Sequence, residues 1–263
     1  MKTRASAVAG MFYPRDPHHL EQLLEKFFQR KNPGLDALGV VSPHAGYPYS
    51  GEVSAWAFSA IDPLFSGTFV IIGPSHRGYR TCISSLPWET PLGIVDNDST
   101  LGAKMDLEVD EVSHQDAENS LEVQVPFIKH RFPRARIVPI LMGDQGPGSA
   151  RELARAVGNA VRESGRSDIR FVASSDFSHY VPDEVARKND LYAIEPLATL
   201  DVDEFYRRIA SRRVSVCGYG PIATMCMVCR DLGAARGQLI RYATSGEVTG
   251  DRDVVGYAAI AVM

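Results

Sequence analysis

Three times this chain runs a short apolar stretch into small residues and then a histidine. The segments are Val40-Val41-Ser42-Pro43-His44, Val70-Ile71-Ile72-Gly73-Pro74-Ser75-His76 and Phe171-Val172-Ala173-Ser174-Ser175-Asp176-Phe177-Ser178-His179. Each apolar run is rich in β-branched or aromatic residues and too short for a helix, so each reads as a buried strand. The Pro, Gly and Ser that follow turn the backbone. In an open α/β sheet, ligands sit in the crevice outside the carboxyl ends of the strands. Strands that deliver imidazoles to that edge predict one convergent pocket for metal or acid–base chemistry.

The intervening sequence alternates helices with strands. Asp16-Pro17 reads as a cap and first helical residue, opening a helix to about Arg30 with Leu20, Leu23, Leu24, Phe27 and Phe28 on its apolar face. Helices are expected over 51–61, 150–164, 184–198 and 202–210, and a helix apolar nearly all round over 221–232. Asn119-Ser120-Leu121-Glu122 has capping-box spacing ahead of Val125, Phe127 and Ile128. Further strands are expected over 137–142, 238–243 and 254–262, and 87–93 is turn-rich. No linker or low-complexity stretch intervenes. The pattern predicts a single α/β domain, residues 1–263, with a central, mainly parallel sheet flanked by helices.

Composition removes several function classes. The net charge of −4 lacks the clustered excess of Lys and Arg that a nucleic-acid surface needs. No window reaches the ~18 apolar residues of a membrane span, and Met1-Lys2-Thr3-Arg4 leads into no apolar signal core. Cysteines 82, 217, 226 and 229 form no disulfide framework, so a reducing cytoplasm is expected.

Among the chemistry-bearing residues, His44 and His76 each follow a strand end. Asp176 and His179 form an Asp-x-x-His pair that can serve as ligands, or as a histidine with its orienting carboxylate. Cys217, in Cys217-Gly218-Tyr219-Gly220-Pro221, precedes the buried helix after an extended stretch at Val214 and Val216. A thiol at a helix N-terminus has a lowered pKa and suits metal binding or nucleophilic attack, whereas the alternative is a small buried apolar residue. Cys226 and Cys229 lie inside the expected helix and read as core. His18, His19 and His130 read as surface residues, and position alone leaves His114 undecided. No phosphate-cradling glycine motif and no G-x-S-x-G elbow is present.

Several longer stretches carry a family resemblance. They are Val8-Ala9-Gly10-Met11-Phe12-Tyr13-Pro14, Pro43-His44-Ala45-Gly46-Tyr47 with Tyr49-Ser50-Gly51, Gly73-Pro74-Ser75-His76 and Ser120-Leu121-Glu122-Val123-Gln124. To these add Ser174-Ser175-Asp176-Phe177-Ser178-His179-Tyr180, Cys217-Gly218-Tyr219-Gly220-Pro221, Thr244-Ser245-Gly246 and Val255-Gly256-Tyr257. From end to end the chain resembles the Memo-like family, component B of the AmmeMemoRadiSam system. The resemblance implies a fold like that of LigB-type class III extradiol dioxygenases, which bind non-haem Fe(II) through two histidines and a carboxylate. By that analogy His44 and His76 are the histidine ligands, Cys217 takes the carboxylate's place, His179 is the acid–base group and Asp176 lies beside the metal. A thiolate is softer than a carboxylate and shifts preference toward Cu(I) or zinc. Asn119 stands where many members carry a histidine, so that residue's family role is not carried over.

The resulting expectation is a Memo-like metalloprotein with iron or copper at a His44/His76/Cys217 site. It would perform oxidative or redox chemistry on a small or peptide-borne substrate, with other AmmeMemoRadiSam components as partners. A zinc-type hydrolase with His179 or Asp176 as base is a second reading. A non-catalytic binding module for phosphorylated or aromatic peptides is a third, with Arg77 and Arg80 as its cationic groups. The residues alone leave open whether the chain is an enzyme.

Overall fold

Side chains alternate across each strand, and this sorts the apolar runs of the sequence onto two faces of one sheet. The computed structural model describes residues 2–116 and 118–263. Its strands are β1 (Gly39–Ser42), β2 (Thr68–Pro74), β3 (Cys82–Ile83), β4 (Trp88–Thr90), β5 (Gly93–Val95), β6 (Arg136–Met142), β7 (Ile169–Ser174), β8 (His179–Pro182), β9 (Gly237–Thr244) and β10 (Asp253–Val262). Among the described residues, eight of them form a sheet of order β3-β6-β2-β7-β1-β10-β8, with β9 paired to β10. β6, β2, β7 and β1 run parallel and make its centre. The strands outside them are antiparallel, and β4 and β5 form a separate small hairpin.

Parallel strands need both faces covered, and both are. Val41, Val70, Ile72, Ile140 and Phe171 pack beneath the helices Pro147–Ser164, Val202–Arg212 and Tyr219–Asp231. Val40, Phe69, Ile71, Leu141 and Val172 face the helices Pro17–Phe28, Tyr47–Ser59 and Val125–Arg131. These strand residues are fully buried, each worth roughly 1.5–3 kcal/mol of apolar transfer. This is the α/β domain that the alternating pattern predicts. Among the described residues, no helix is long and apolar enough to cross a membrane.

Local differences have local causes. The helix expected from residue 51 starts at Tyr47, because Pro48 in the first turn needs no hydrogen-bond partner. The turn-rich 87–93 segment holds the β4–β5 hairpin. Val214 and Val216 lie in irregular backbone, and the helix after them starts at Tyr219. The capping box at Asn119 is not formed. Glu118 caps the short helix Asn119–Glu122 by accepting from the Ser120 amide, and Glu122 is drawn elsewhere.

Glu122 is the anchor of the N-terminal segment. Its buried carboxylate pairs with the Arg4 guanidinium, accepts from the amides of Ala7 and Val8 at 2.9 Å each, and accepts from the Tyr13 hydroxyl at 2.7 Å. Arg4 also lies over the Trp88 ring, 4.2 Å from its centroid. Removing one partner strands the other charge out of water. Glu122→Ala is therefore expected to lower unfolding free energy by about 3–5 kcal/mol, read from a denaturant titration.

Candidate metal centre

β7 lies between β2 and β1, all parallel, so the turns after these strands open on one sheet edge. His44, His76 and Asp176 follow immediately beyond β1, β2 and β7. Cys217 arrives from the loop ahead of the Tyr219–Asp231 helix. One donor atom from each of His44, His76 and Cys217 lies within 4.8 Å of the others. The imidazoles of His44 and His76 stand edge to face with centroids 5.1 Å apart, and the His44 Nε2 is 3.1 Å from the Cys217 Sγ.

Hydrogen bonds on the far side of each ring decide which nitrogen is available. His76 Nδ1 lies 2.8 Å from the Glu118 carboxylate, which can only accept, so Nδ1 carries the proton and Nε2 the lone pair. The amide of His76 donates to the other Glu118 oxygen at 2.7 Å. His44 Nδ1 lies 3.0 Å from the Ser174 hydroxyl. That hydroxyl donates to the Ser120 carbonyl and accepts from Gln124 Nε2, so it accepts from His44 as well. Nε2 is again the free nitrogen, and it faces the thiol.

Electrostatics differ between the two rings. Burial pushes the pKa of His44 down to about 4, against the pull of Asp176, so the ring is neutral near neutral pH. His76 sits at the rim with its side chain 39% exposed. The hydrogen bond to Glu118 raises its pKa against the effect of burial. Burial opposes ionisation of Glu118, yet the bonds from His76 hold its carboxyl below the usual value. For Cys217, removal from water and the charge of Asp176 push the thiol well above its ordinary value. The lowered pKa expected from the helix terminus is outweighed by that burial. Two imidazoles and a thiol are donors that suit a soft or borderline transition metal, whose own charge favours the unprotonated ring nitrogens and the thiolate.

Asp176 and Cys217 are held together through backbone. The Asp176 amide donates to the Cys217 Sγ at 3.1 Å, and the Cys217 amide donates to the Asp176 carbonyl at 3.2 Å. The next residue, Gly218, lies so close to β7 that a Cβ there would be 2.3 Å from the Ser174 carbonyl oxygen. Asp176 Oδ1 accepts from the His44 amide at 2.8 Å, and Oδ2 lies 4.0 Å from His44 Nε2. His179 begins β8 at the same edge, half-exposed, with Nδ1 2.8 Å from the Ser215 carbonyl. That carbonyl makes Nδ1 the donor and leaves Nε2 able to take a proton.

The sequence reading missed Glu118, Ser174, Gln124 and Ser215 as functional positions. Ser174 and Gln124 stand inside stretches that carry the family resemblance, and Glu118 adjoins the Asn119 motif, but no local pattern assigned them a role. Asn119 donates to the His44 carbonyl at 3.0 Å and so braces the loop that carries that ligand candidate. His114 does not join this cluster. It is buried against Trp88 and Cys82, where burial lowers its pKa to about 4. His18 and His19 are exposed as expected, while His130 is half-buried and stacks on Phe28.

Comparison with known proteins points in one direction. The family model described as "Memo-like protein" matches residues 4–261. A MEMO1 family protein of Methanosarcina barkeri is 43% identical over 271 residues, covering 98% of this chain and 99% of its own. One from Nitrosopumilus maritimus is 39% identical, covering 98% of each chain. Another from Pyrobaculum aerophilum is 38% identical, covering 99% of each.

The hydrogen-bond layer makes two substitutions informative. Glu118→Gln keeps the shape but weakens the hold on His76 Nδ1, and metal affinity is expected to fall about ten- to a hundredfold in a competition titration. Cys217→Ser is expected to lower retained metal by elemental analysis while circular dichroism stays unchanged.

Proposed function

The chain belongs to the Memo-like protein family, and from that premise we propose that it is a metalloprotein in which His44, His76 and Cys217 hold one redox-active ion, iron or copper. Its reaction is oxidative or redox chemistry on a small or peptide-borne substrate. The observation that carries this reading is the pair of rings whose Nδ1 positions are occupied by Glu118 and Ser174, leaving both Nε2 lone pairs beside one thiol. Metal-ligating histidines are commonly oriented in this way. A bound iron or copper ion would supply electron transfer toward oxygen and substrate.

The rest of the chemistry falls to the chain's own groups. His179 is held by Ser215 at Nδ1, and its Nε2 takes a proton from substrate or returns one. The Asp176 carboxylate keeps the His44 loop in place and presents Oδ2 toward the imidazole. Burial of His44 keeps its nitrogen unprotonated at neutral pH, so no proton competes for the donor atom. The four cysteines are free thiols, which suits a reducing cytoplasm. Partners in this reading are the substrate and the other AmmeMemoRadiSam components. A peptide-binding role through Arg77 draws less support, because that guanidinium already faces Asp116 at 3.7 Å.

Elemental analysis of anaerobically purified protein tests the proposal, beside a His44→Ala, His76→Ala double variant that should lose the ion. Iron or copper in near-stoichiometric amount is expected. Zinc with hydrolytic activity would replace this reading by the hydrolase one. With a turnover assay in hand, His179→Ala should keep its metal and lose rate by about a hundredfold. Joint loss of metal and rate would make His179 a ligand instead.

A further inference from the structure

A carboxylate whose hydrogen-bond partners are all neutral is buried against the turn that joins Asp176 to His179. Asp190, on the helix Asp183–Ile194, has no exposed surface. Its Oδ1 accepts from the Ser178 hydroxyl at 2.5 Å and from the Ser178 amide at 3.2 Å. Its Oδ2 accepts from the Tyr242 hydroxyl at 2.6 Å. Burial pushes the carboxyl above its usual value against the pull of these bonds. β10 closes tightly over the group, and a Cβ on Gly256 would stand 2.0 Å from Oδ2. Apolar groups of the same shape in place of such a buried polar set can be neutral or stabilising. Stability therefore gives no reason for this carboxylate, whereas geometry does.

What Asp190 holds is the residue between two groups of the site. Upstream of Ser178, Asp176 binds the His44 amide and the Cys217 sulfur. Downstream, His179 docks on Ser215 through its amide and its Nδ1, at 2.8 Å each. β10 fixes part of the turn: the Phe177 amide donates to the Gly256 carbonyl at 2.8 Å, and the Gly256 amide to the Ser178 carbonyl at 2.9 Å. The amide and hydroxyl of Ser178 are the donors left over, and Asp190 accepts from both. We propose that Asp190 is a positioning residue, which fixes this turn through Ser178 and so sets the His179 ring against Ser215 with Nε2 free to exchange a proton. The inference rests on the acid–base reading of His179 above. A misplacement of about 1 Å in such a group can cost about a hundredfold in rate.

The test is ring-nitrogen NMR on full-length, zinc-loaded protein carrying labelled histidine, with His179→Gln identifying the His179 signals. The shifts read the ratio of the Nδ1–H to the Nε2–H form of the ring, and the Nδ1–H form is expected to dominate in wild type. Asp190→Ala should lower that ratio roughly two- to tenfold, the worth of one ordinary hydrogen bond. Ser178→Ala should lower it less, because the amide contact remains. Asp190→Asn should keep it, since its carbonyl can accept from Ser178 while its amide donates to the Tyr242 hydroxyl. Tyr242→Phe removes the other bond of Asp190 and should lower the thermal midpoint without moving the ratio. An unchanged ratio in Asp190→Ala overturns the proposal; if that variant does not fold, an unchanged ratio in Ser178→Ala does so. An equal shift in Tyr242→Phe or Asp190→Asn also overturns it, because general loosening or lost charge would then account for the effect. A wild-type ring in the Nε2–H form overturns the acid–base reading of His179 and this inference with it. The variant outcomes overturn this inference alone.

Discussion

The hydrogen bond from the His44 amide to the Asp176 carboxylate, 2.8 Å long, ties together the ends of two neighbouring parallel strands. Much else at this edge hangs from the same residue. The backbone of Asp176 receives the Cys217 loop, accepting from its amide and donating to its sulfur. A histidine from β1 and a thiol from a loop far along the chain are thereby placed side by side. One of these bonds is backbone to backbone, and the other two run from backbone amides to the short side chains of Asp176 and Cys217. Gly218 completes the arrangement, since any side chain there would collide with the end of β7.

Around this knot lies a layer of polar groups whose hydrogen bonds run in a definite direction. The Ser120 carbonyl accepts a hydrogen bond from Ser174, Gln124 donates to Ser174, and Ser174 is left to accept from His44. Glu118 does the same for His76 directly. In a site of low dielectric, a network of this kind is costly if one member is unpaired and rigid when all are paired. The short helix Asn119–Glu122 and its flanks supply Glu118, Ser120 and Gln124, while Ser174 comes from the end of β7. Glu122 in turn pins the N-terminal segment, so Met11 and Phe12 wall a groove beside His76 through the same element.

Burial sets the charge state of the donor set. His44 is neutral because its imidazolium would be poorly solvated, and the Cys217 thiol resists ionisation for the same reason. A cation placed among them would relieve the second effect without disturbing the first. His76, half in water and bound to Glu118, is the point at which the set meets solvent. The rim position suits a ligand beside the groove, and the buried one suits a fixed anchor.

The strand-to-histidine theme, the helix opened by Asp16-Pro17 and the alternation of apolar runs are local properties, written in neighbouring residues. They determined the α/β class and identified His44, His76, Asp176, His179 and Cys217 as residues of interest. The tertiary structure decided which of these meet and how their rings are turned. Glu118 reaches His76 across 42 positions, and Ser174 reaches His44 across 130. No spacing rule links such partners, because parallel strands become neighbours only through crossover connections. The same holds for Asp190, which joins Ser178 to Tyr242 across three separate elements. A sequence marks where chemistry-bearing atoms are carried. Which lone pair faces inward is settled by hydrogen bonds between segments that only folding brings together.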